Sequence, residues 1–268
     1  MKNRVITAVI GILAILGLVW QGGILLTAAV FGAMVLCFKE YKAMWNHIDV
    51  PVFFYPAFVA LLAVSIAAGR YSLLHFFSIL ILAFLCLLFS VLRIRGDALP
   101  ALIYTVFGVL YIGIGFGSLL CLRQVHQSMY LTPLAIEDGI FFVLLAFIGT
   151  WASDTFAYFV GRRWGKRKMA PHISPNKTIE GLIGGMVGTI IISVIWSFCF
   201  GFSLIQGFLL GLIISIMAPV GDLFESYMKR YCDIKDSGQI LPGHGGMLDR
   251  FDSLLFVAPA VFLFLILR

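Results

Sequence analysis

The chain has 268 residues, of which 61% are hydrophobic and 12% are charged, and its formal net charge is +6. An ordinary soluble domain has about 25% charged residues, so this composition excludes a soluble globular protein. We predict an integral membrane protein, and we assign the positive charge to membrane topology and anionic lipid rather than to nucleic-acid binding.

Apolar stretches of roughly 17–20 residues, the length that crosses a hydrocarbon core of about 30 Å, recur along the whole chain. Within lipid they must be helices, because every backbone amide needs a partner inside its own segment. We therefore predict an all-α bundle of about nine transmembrane helices with a cytoplasmic N-terminus. The predicted spans are Val5–Trp20, Gly23–Phe38, Val52–Ala68, Leu73–Leu92, Pro100–Leu122, Ile140–Val160, Leu182–Phe200, Leu204–Val220 and Ser253–Leu267. Only QGG separates the first two, which form either one hairpin or two half-depth helices.

The distribution of Lys and Arg sets the orientation. With the N-terminus inside, 16 of the 19 basic residues lie in inner segments, as the positive-inside rule requires. Among them, Arg162, Arg163 and Arg167 are predicted to set topology and to attract anionic lipid. We predict location in the bacterial inner or plasma membrane, with the active site facing the cytoplasm. Five N-terminal spans (residues 1–140) precede a C-terminal catalytic region of four spans and two cytoplasmic loops (residues 141–268), and both are treated as one membrane domain.

Two of the inner loops concentrate the polar residues. The loop 161–181 contains six basic residues and one acid, whereas the segment 221–252 contains four basic residues and six acids. A basic and an acid-rich segment on one side of the membrane suggest complementary tasks. One suits anionic phosphates, and the other suits the cations that accompany phosphates.

The acids of segment 221–252 have a spacing that suits a metal ion. Asp222 and Glu225 are three residues apart, as are Asp249 and Asp252, and in a helix this spacing puts both side chains on one face. Mg²⁺ takes oxygen ligands and usually shares its shell with substrate phosphates and water. We therefore predict a Mg²⁺ (or Mn²⁺) site here. For any single acid, a solvated loop or a helix cap is the alternative.

Two further groups of residues are candidates for substrate binding. Asp154 lies near the inner end of the sixth span, where an ionisable residue indicates a functional site, and Tyr158 follows one turn later. In SPNKT, the hydroxyls of Ser174 and Thr178 flank Lys177, which predicts a phosphate clamp. The alternatives are interfacial solvation for Asp154 and an N-cap of the next helix for SPNKT.

The run SYMKRYCDIKDSGQILPGHGGMLDRFD resembles the signature of the phosphatidate cytidylyltransferase (CDP-diacylglycerol synthase) family. Upstream, SDTFAYFVGRRWGKRKMAPHISPNKTIEGLIGG is similar to two further motifs of that family. The signature positions that match are Ser226, Lys229, Arg230, Lys235, Asp236, Gly238, Pro242, His244, Gly245, Gly246, Asp249, Arg250 and Asp252. The upstream positions that match are Asp154, Ala157, Tyr158, Gly161, Gly165, Lys166, Ser174, Pro175, Lys177, Thr178, Glu180 and Gly181.

The resemblance implies that CTP and phosphatidic acid react to CDP-diacylglycerol and pyrophosphate in phospholipid biosynthesis, with Mg²⁺ required. With the residue analysis, it predicts catalytic roles for Asp249, Asp252, Lys235, His244 and Arg250. The predicted substrate-binding residues are Ser174, Lys177, Thr178, Lys229, Arg230, Asp154, Tyr158, Gly245 and Gly246. The predicted metal ligands are Asp222, Asp249, Asp252 and Glu225. The expected partners are CTP, phosphatidic acid and membrane lipids but no nucleic acid, and the sequence allows a homodimer.

Two other functions are alternatives at this point. A CTP-dependent kinase of a polyprenol-type lipid would share the nucleotide and the membrane but would transfer the γ-phosphoryl group. A transporter would distribute its polar residues across the depth of the membrane, whereas here they gather at one face. A cytidylyltransferase therefore explains the sequence best.

Overall fold

The computed structural model describes residues 2–70, 73–93, 98–125, 137–238 and 245–267. The elements in chain order are α1 (Lys2–Gln21), α2 (Gly23–Asn46), α3 (Phe54–Arg70), α4 (Leu73–Leu92), α5 (Leu99–Arg123), α6 (Asp138–Trp164), β1 (Lys168–Ala170), β2 (Ser174–Thr178), α7 (Ile179–Cys199), α8 (Leu204–Tyr231), α9 (Leu248–Phe251) and α10 (Leu254–Ile266). The prediction of an all-α membrane protein is confirmed, and the short hairpin β1–β2 is the one addition to it within these residues.

Each predicted span corresponds to one helix, from α1 to α8 and then α10. Five of the described helices, α2, α5, α6, α7 and α8, are long and apolar enough to cross a membrane. The chain is thus an integral membrane protein. The number of spans and the orientation stay predictions.

The chain divides into two compact units. The first contains Met1–Cys121 and Tyr231–Phe251, and the second contains Leu122–Arg230 and Asp252–Arg268. The signature run is therefore divided between the two units, because its part Tyr231–Phe251 belongs to the unit of the N-terminal helices. The proposed organisation into regions 1–140 and 141–268 stays a prediction.

In the first unit, α1 and α2 are separate helices that contact each other. They are separated at the predicted QGG, where Gly22 has a φ of 64° and Gly23 a φ of 56°. Glycine adopts this left-handed region without the steric cost that a Cβ would cause.

Aromatic side chains at the end of α2 form part of the core of the first unit. The rings of Trp45 and Tyr104 have centroids 4.1 Å apart, and the Tyr41 hydroxyl donates to the Tyr104 carbonyl at 2.9 Å. Trp45 also packs on Tyr231, with centroids 5.7 Å apart. Because Tyr231 begins the segment that belongs to this unit, the aromatic contact anchors that segment to α2.

In the second unit, α7 packs closely on α6. A Cβ at Gly184 would lie 2.4 Å from Val160, and one at Gly188 would lie 2.2 Å from Phe156. Any side chain at these two positions would collide with α6. Small residues let membrane helices approach closely, so the glycines of α7 determine how α6 and α7 fit together.

The hairpin β1–β2 lies between α6 and α7 in the chain. Its antiparallel register pairs Lys168 with Thr178 and Ala170 with Ser174. Thr178 is the last residue of β2 and also the N-cap of α7. Its hydroxyl accepts a hydrogen bond from the Gly181 amide at 3.1 Å. The N-cap that was the alternative explanation of SPNKT is therefore confirmed for Thr178.

The two acid pairs of the sequence analysis differ in local structure. Asp222 and Glu225 both lie on α8, which continues to Tyr231, beyond the predicted end of the span. Asp249 lies in α9, whereas Asp252 follows that helix in a turn. Only the first pair therefore has the helical relation that its spacing predicts.

Candidate functional site

The second unit contains a pocket of about 620 Å³, a size that suits a small-molecule ligand. Its lining is mostly apolar and carries a small set of charged and hydroxyl side chains. Residues from α6, the hairpin, the start of α7 and α8 surround it. Six of the predicted site residues line it together: Asp154, Tyr158, Ser174, Lys177, Thr178 and Asp222. The fold thus brings the upstream motifs and the first acid of segment 221–252 to one place.

An ion pair crosses this pocket. Lys177 Nζ, at the end of the hairpin, lies 2.5 Å from Asp222 Oδ2 on α8. Asp154, from α6, interacts electrostatically with both of them. The lining of the pocket therefore contains one ammonium group and carboxylates from two different helices, a set of charges that suits a phosphate with its cation.

Asp252 belongs to the same electrostatic group. Burial raises the pKa of the Asp252 carboxyl, and the neighbouring Asp222 carboxylate raises it further. The close packing depends on Gly221, where a Cβ would lie 2.6 Å from the Asp252 carbonyl oxygen. Acids that repel each other's charge at short range provide a site that a cation can stabilise.

Glu225 and Lys229 pair with each other, and neither is among the residues that line the described pocket. The Lys229 ammonium also favours the ionised form of Asp252. Glu225 is 0% exposed, and its carboxylate forms an ion pair with the Lys229 ammonium one turn later on α8. Removing one partner of such a buried pair leaves an uncompensated charge. The predicted roles of Glu225 as a metal ligand and Lys229 as a substrate ligand stay predictions, and the observed contact is structural.

Arg230 contacts the hairpin. Its Nε donates to the Ile173 carbonyl at 3.3 Å, in the turn that joins β1 to β2. Its predicted substrate role stays a prediction. The contact ties the end of α8 to the element that carries Lys177.

The first unit contains the other predicted residues of the signature. Asp249 accepts hydrogen bonds from the Gly246 amide at 2.8 Å and from the Ser237 amide at 3.1 Å. Gly245 has a φ of 81°, and a Cβ there would lie 2.9 Å from the Asp249 carboxylate. The glycine that the motif carries at this position is therefore required by both the backbone and the packing.

For the other predicted catalytic residues of the signature, the structure gives little beyond their exposure. Lys235 and Arg250 are exposed side chains of the first unit. His244, predicted to be catalytic, lies outside the described residues. The roles proposed for these three residues stay predictions.

Two residues at these sites were missed by the sequence analysis. Arg162, assigned there to topology, lines the pocket and donates from Nη1 to the Tyr158 hydroxyl at 3.1 Å. Its position four residues after Tyr158 was a usable signal. Glu40 of α2, only 4% exposed, contacts the signature segment in the first unit. The signal for Glu40 was its isolation, because it is the only acid in the first 48 residues.

The described side chains do not form a complete set of metal ligands. Among the described residues, no group of three or more His, Cys, Asp or Glu side chains is arranged to hold a metal ion. Mg²⁺ in phosphate-transferring enzymes is commonly held by one or two carboxylates, with phosphates and water completing its shell. Asp222 and Asp252 can supply such a pair, so the residues present fit an ion that binds together with its substrate.

Comparison with known proteins agrees with the motifs. The model of the cytidylyltransferase family matches residues 2–267. A protein of Staphylococcus haemolyticus named phosphatidate cytidylyltransferase is 36% identical over 271 residues, covering 99% of both chains. Proteins with the same name from Staphylococcus saprophyticus, over 274 residues, and Staphylococcus aureus, over 271 residues, are 34% identical, again covering 99% of both chains.

Proposed function

The chain belongs to the cytidylyltransferase family, and we propose on that basis that it transfers the cytidylyl group of CTP to phosphatidate. The products are CDP-diacylglycerol and pyrophosphate. The observation that carries this function is the family match over residues 2–267, together with relatives similar along their full length that are named phosphatidate cytidylyltransferase. A pocket that combines an apolar lining with charged side chains, in an integral membrane protein, suits a reaction between a soluble nucleotide and a lipid.

The reaction exchanges one phosphoanhydride bond for another. An oxygen of the phosphatidate phosphate attacks the α-phosphorus of CTP, and the bond from the α-phosphorus to the bridging oxygen breaks. Pyrophosphate leaves with the electron pair of that bond. Because the attacking phosphate is already ionised near neutral pH, the protein's main tasks are to position the two anions and to neutralise their charge.

Lys177 is the residue we propose to hold phosphate in the pocket. Its ammonium group is now paired with Asp222 at 2.5 Å, and the hydroxyl of Ser174 lines the same pocket. When an anionic substrate enters, Lys177 exchanges its carboxylate partner for a phosphate oxygen. That exchange frees the Asp222 carboxylate for a cation, so substrate binding and cation binding reinforce each other.

Asp222 and Asp252 are the residues we propose to hold Mg²⁺ or Mn²⁺, with Asp249 and Glu225 retained as predicted ligands. When bound there with the nucleotide, a divalent cation would supply charge neutralisation for the departing pyrophosphate. The support is electrostatic, because burial and the Asp222 carboxylate together raise the pKa of Asp252. Asp222 and Asp252 would repel each other less when such a cation is bound near them.

We propose that the protein lies in the inner or plasma membrane of a bacterial cell and that its pocket opens to the cytoplasm. The support is that 16 of the 19 basic residues fall on one side of the predicted topology, the side that also carries the hairpin and segment 221–252. CTP is a cytosolic nucleotide and requires a site on that side. The sequence also allows a homodimer, which light scattering of the detergent-solubilised protein would test.

The position of a radioactive label tests the reaction. Purified protein in detergent receives phosphatidate and CTP labelled at either the α- or the γ-phosphate. We expect α-label to enter the lipid, γ-label to leave as pyrophosphate, and both results to require a divalent cation that EDTA removes. Incorporation of γ-label into lipid would instead demonstrate a kinase and would overturn the proposal.

A further inference from the structure

Glu40 places a buried carboxylate against the signature segment of the first unit. Its Oε1 accepts a hydrogen bond from the Met247 amide at 2.8 Å, and its Oε2 accepts one from the Leu248 amide at 2.7 Å. The Ser237 hydroxyl lies 3.3 Å from the same Oε2. These three neutral donors come from residues 197 to 208 positions further along the chain.

The segment is shaped to admit this carboxylate. A Cβ at Gly238 would lie 2.5 Å from Glu40 Oε1, and a Cβ at Gly246 would lie 2.6 Å from Oε2. Two glycines of the signature thus lie directly against Glu40. The fit is specific to a side chain of this length, because the contacts involve both carboxylate oxygens.

The same short segment also binds the Asp249 carboxylate. The Ser237 amide donates to Asp249 at 3.1 Å, while the Ser237 hydroxyl contacts Glu40. Gly246 donates its amide to Asp249 at 2.8 Å, and the next two amides, of Met247 and Leu248, donate to Glu40. Consecutive amides are therefore divided between two carboxylates, which fixes the backbone from Gly246 to Asp249.

We infer that Glu40 is a positioning residue for cytidylyl transfer, which holds the segment 245–249 in the conformation that Gly245, Gly246 and Asp249 need for their roles. This inference rests on the proposed function. Glu40 acts through the Met247 and Leu248 amides and the Ser237 hydroxyl, and it has no proposed contact with substrate. Because α2 lies in the N-terminal part of the chain, the inference also gives that part a role in the reaction.

Glu40→Gln is the principal test, because the amide keeps the shape of the side chain but presents an N–H₂ group where an acceptor is needed. We expect kcat per folded molecule to fall about 10- to 100-fold, the range for residues that orient a site through other residues. KM for CTP and phosphatidate should change less than kcat. In hydrogen exchange, the Met247 and Leu248 amides should lose protection, while the rest of α2 keeps it.

Glu137→Gln is the matched control. Glu137 is an exposed residue that pairs with Arg123 at 2.6 Å, so the same substitution there should leave kcat, KM and amide exchange unchanged. If Glu40→Gln does not fold, Ser237→Ala decides the question. It removes one hydroxyl contact to Glu40 and should lower kcat about fivefold, the factor expected from one ordinary hydrogen bond.

The outcomes separate this inference from the proposed function. A wild-type protein that makes no labelled lipid would overturn the function and, with it, the catalytic part of the inference. An active wild type with an equally active Glu40→Gln variant would overturn the inference alone. A variant that only lowers the folded fraction, with kcat per folded molecule unchanged, would show that Glu40 serves stability and would also overturn it.

Discussion

Asp222 in the second unit pairs with a charged side chain, whereas Glu40 and Asp249 in the first unit accept hydrogen bonds from backbone amides. Asp222 pairs with the Lys177 ammonium, and it adds to the effect of burial in raising the pKa of Asp252. Glu40 and Asp249 instead receive the amides of a short glycine-containing segment. Side-chain charges can exchange partners when a substrate arrives, while carboxylates bound to amides hold a backbone conformation.

This difference assigns different tasks to acids that look alike in the sequence. In the second unit Asp222 can exchange the Lys177 ammonium for a metal cation that arrives with the substrate. In the first unit Glu40 and Asp249 hold the backbone of the segment 245–249 through its amides. Substitutions that remove charge without changing shape therefore test the comparison directly.

Asp222→Asn should have the largest effect. It removes the partner of Lys177 and one of the two proposed metal ligands, so turnover should fall roughly 10²- to 10³-fold, the scale of an important electrostatic contribution. The measurement is lipid labelling from α-labelled CTP across a Mg²⁺ titration. Asp233→Asn is the control, because Asp233 is exposed and has a φ of 54°, which asparagine adopts readily. Equal activity of both variants would exclude a role for Asp222.

Asp249→Asn should lower turnover by at least ~10²-fold. The amide cannot accept the hydrogen bonds of Gly246 and Ser237 as both carboxylate oxygens do, and it lacks the charge expected of a metal ligand. Expression and folding should be retained. The two tasks separate in the Mg²⁺ titration, since the loss of a ligand raises the Mg²⁺ concentration needed for half-maximal rate. Near-normal turnover at every Mg²⁺ concentration would remove Asp249 from the site.

Lys177→Ala should reduce turnover roughly 10- to 100-fold, as expected for loss of a charge-assisted hydrogen bond to phosphate. The loss should be the same at low and high salt, because Lys177 is largely shielded by the pocket and ionic screening acts mainly on exposed charges. The measurement is kcat/KM for CTP over a range of NaCl concentrations. A loss that salt abolishes would place the phosphate clamp elsewhere.

Arg162→Ala should have the smallest effect, a loss of up to about fivefold that salt reduces, because exposed charges contribute about 1 kcal/mol or less. Arg162 lines the pocket and contacts Tyr158, whereas its neighbour Arg163 is exposed and is not among the residues that line the described pocket. Arg163→Ala is therefore the matched control and should retain wild-type kcat/KM for phosphatidate. A larger loss in Arg163→Ala would mean that the pocket has been assigned to the wrong side of α6.

The sequence by itself determined the membrane character, the helices and the family. These properties depend on the length of apolar runs and on motifs in fixed register, which are local properties of the chain. The same reasoning collected Asp154, Ser174, Lys177 and Asp222 as candidates, and the structure places them around one pocket. It did not distinguish Asp222 from Glu225, because spacing does not reveal which face of α8 is buried.

Only the tertiary structure decided which group each charge contacts. Glu225 is buried against Lys229, while Asp222 reaches Lys177 from a different element. Glu40 contacts amides more than 200 positions away, in a segment with which it shares no sequence pattern. A carboxylate's role depends on the donors and charges within a few ångströms, and the packing of distant helices brings those groups together.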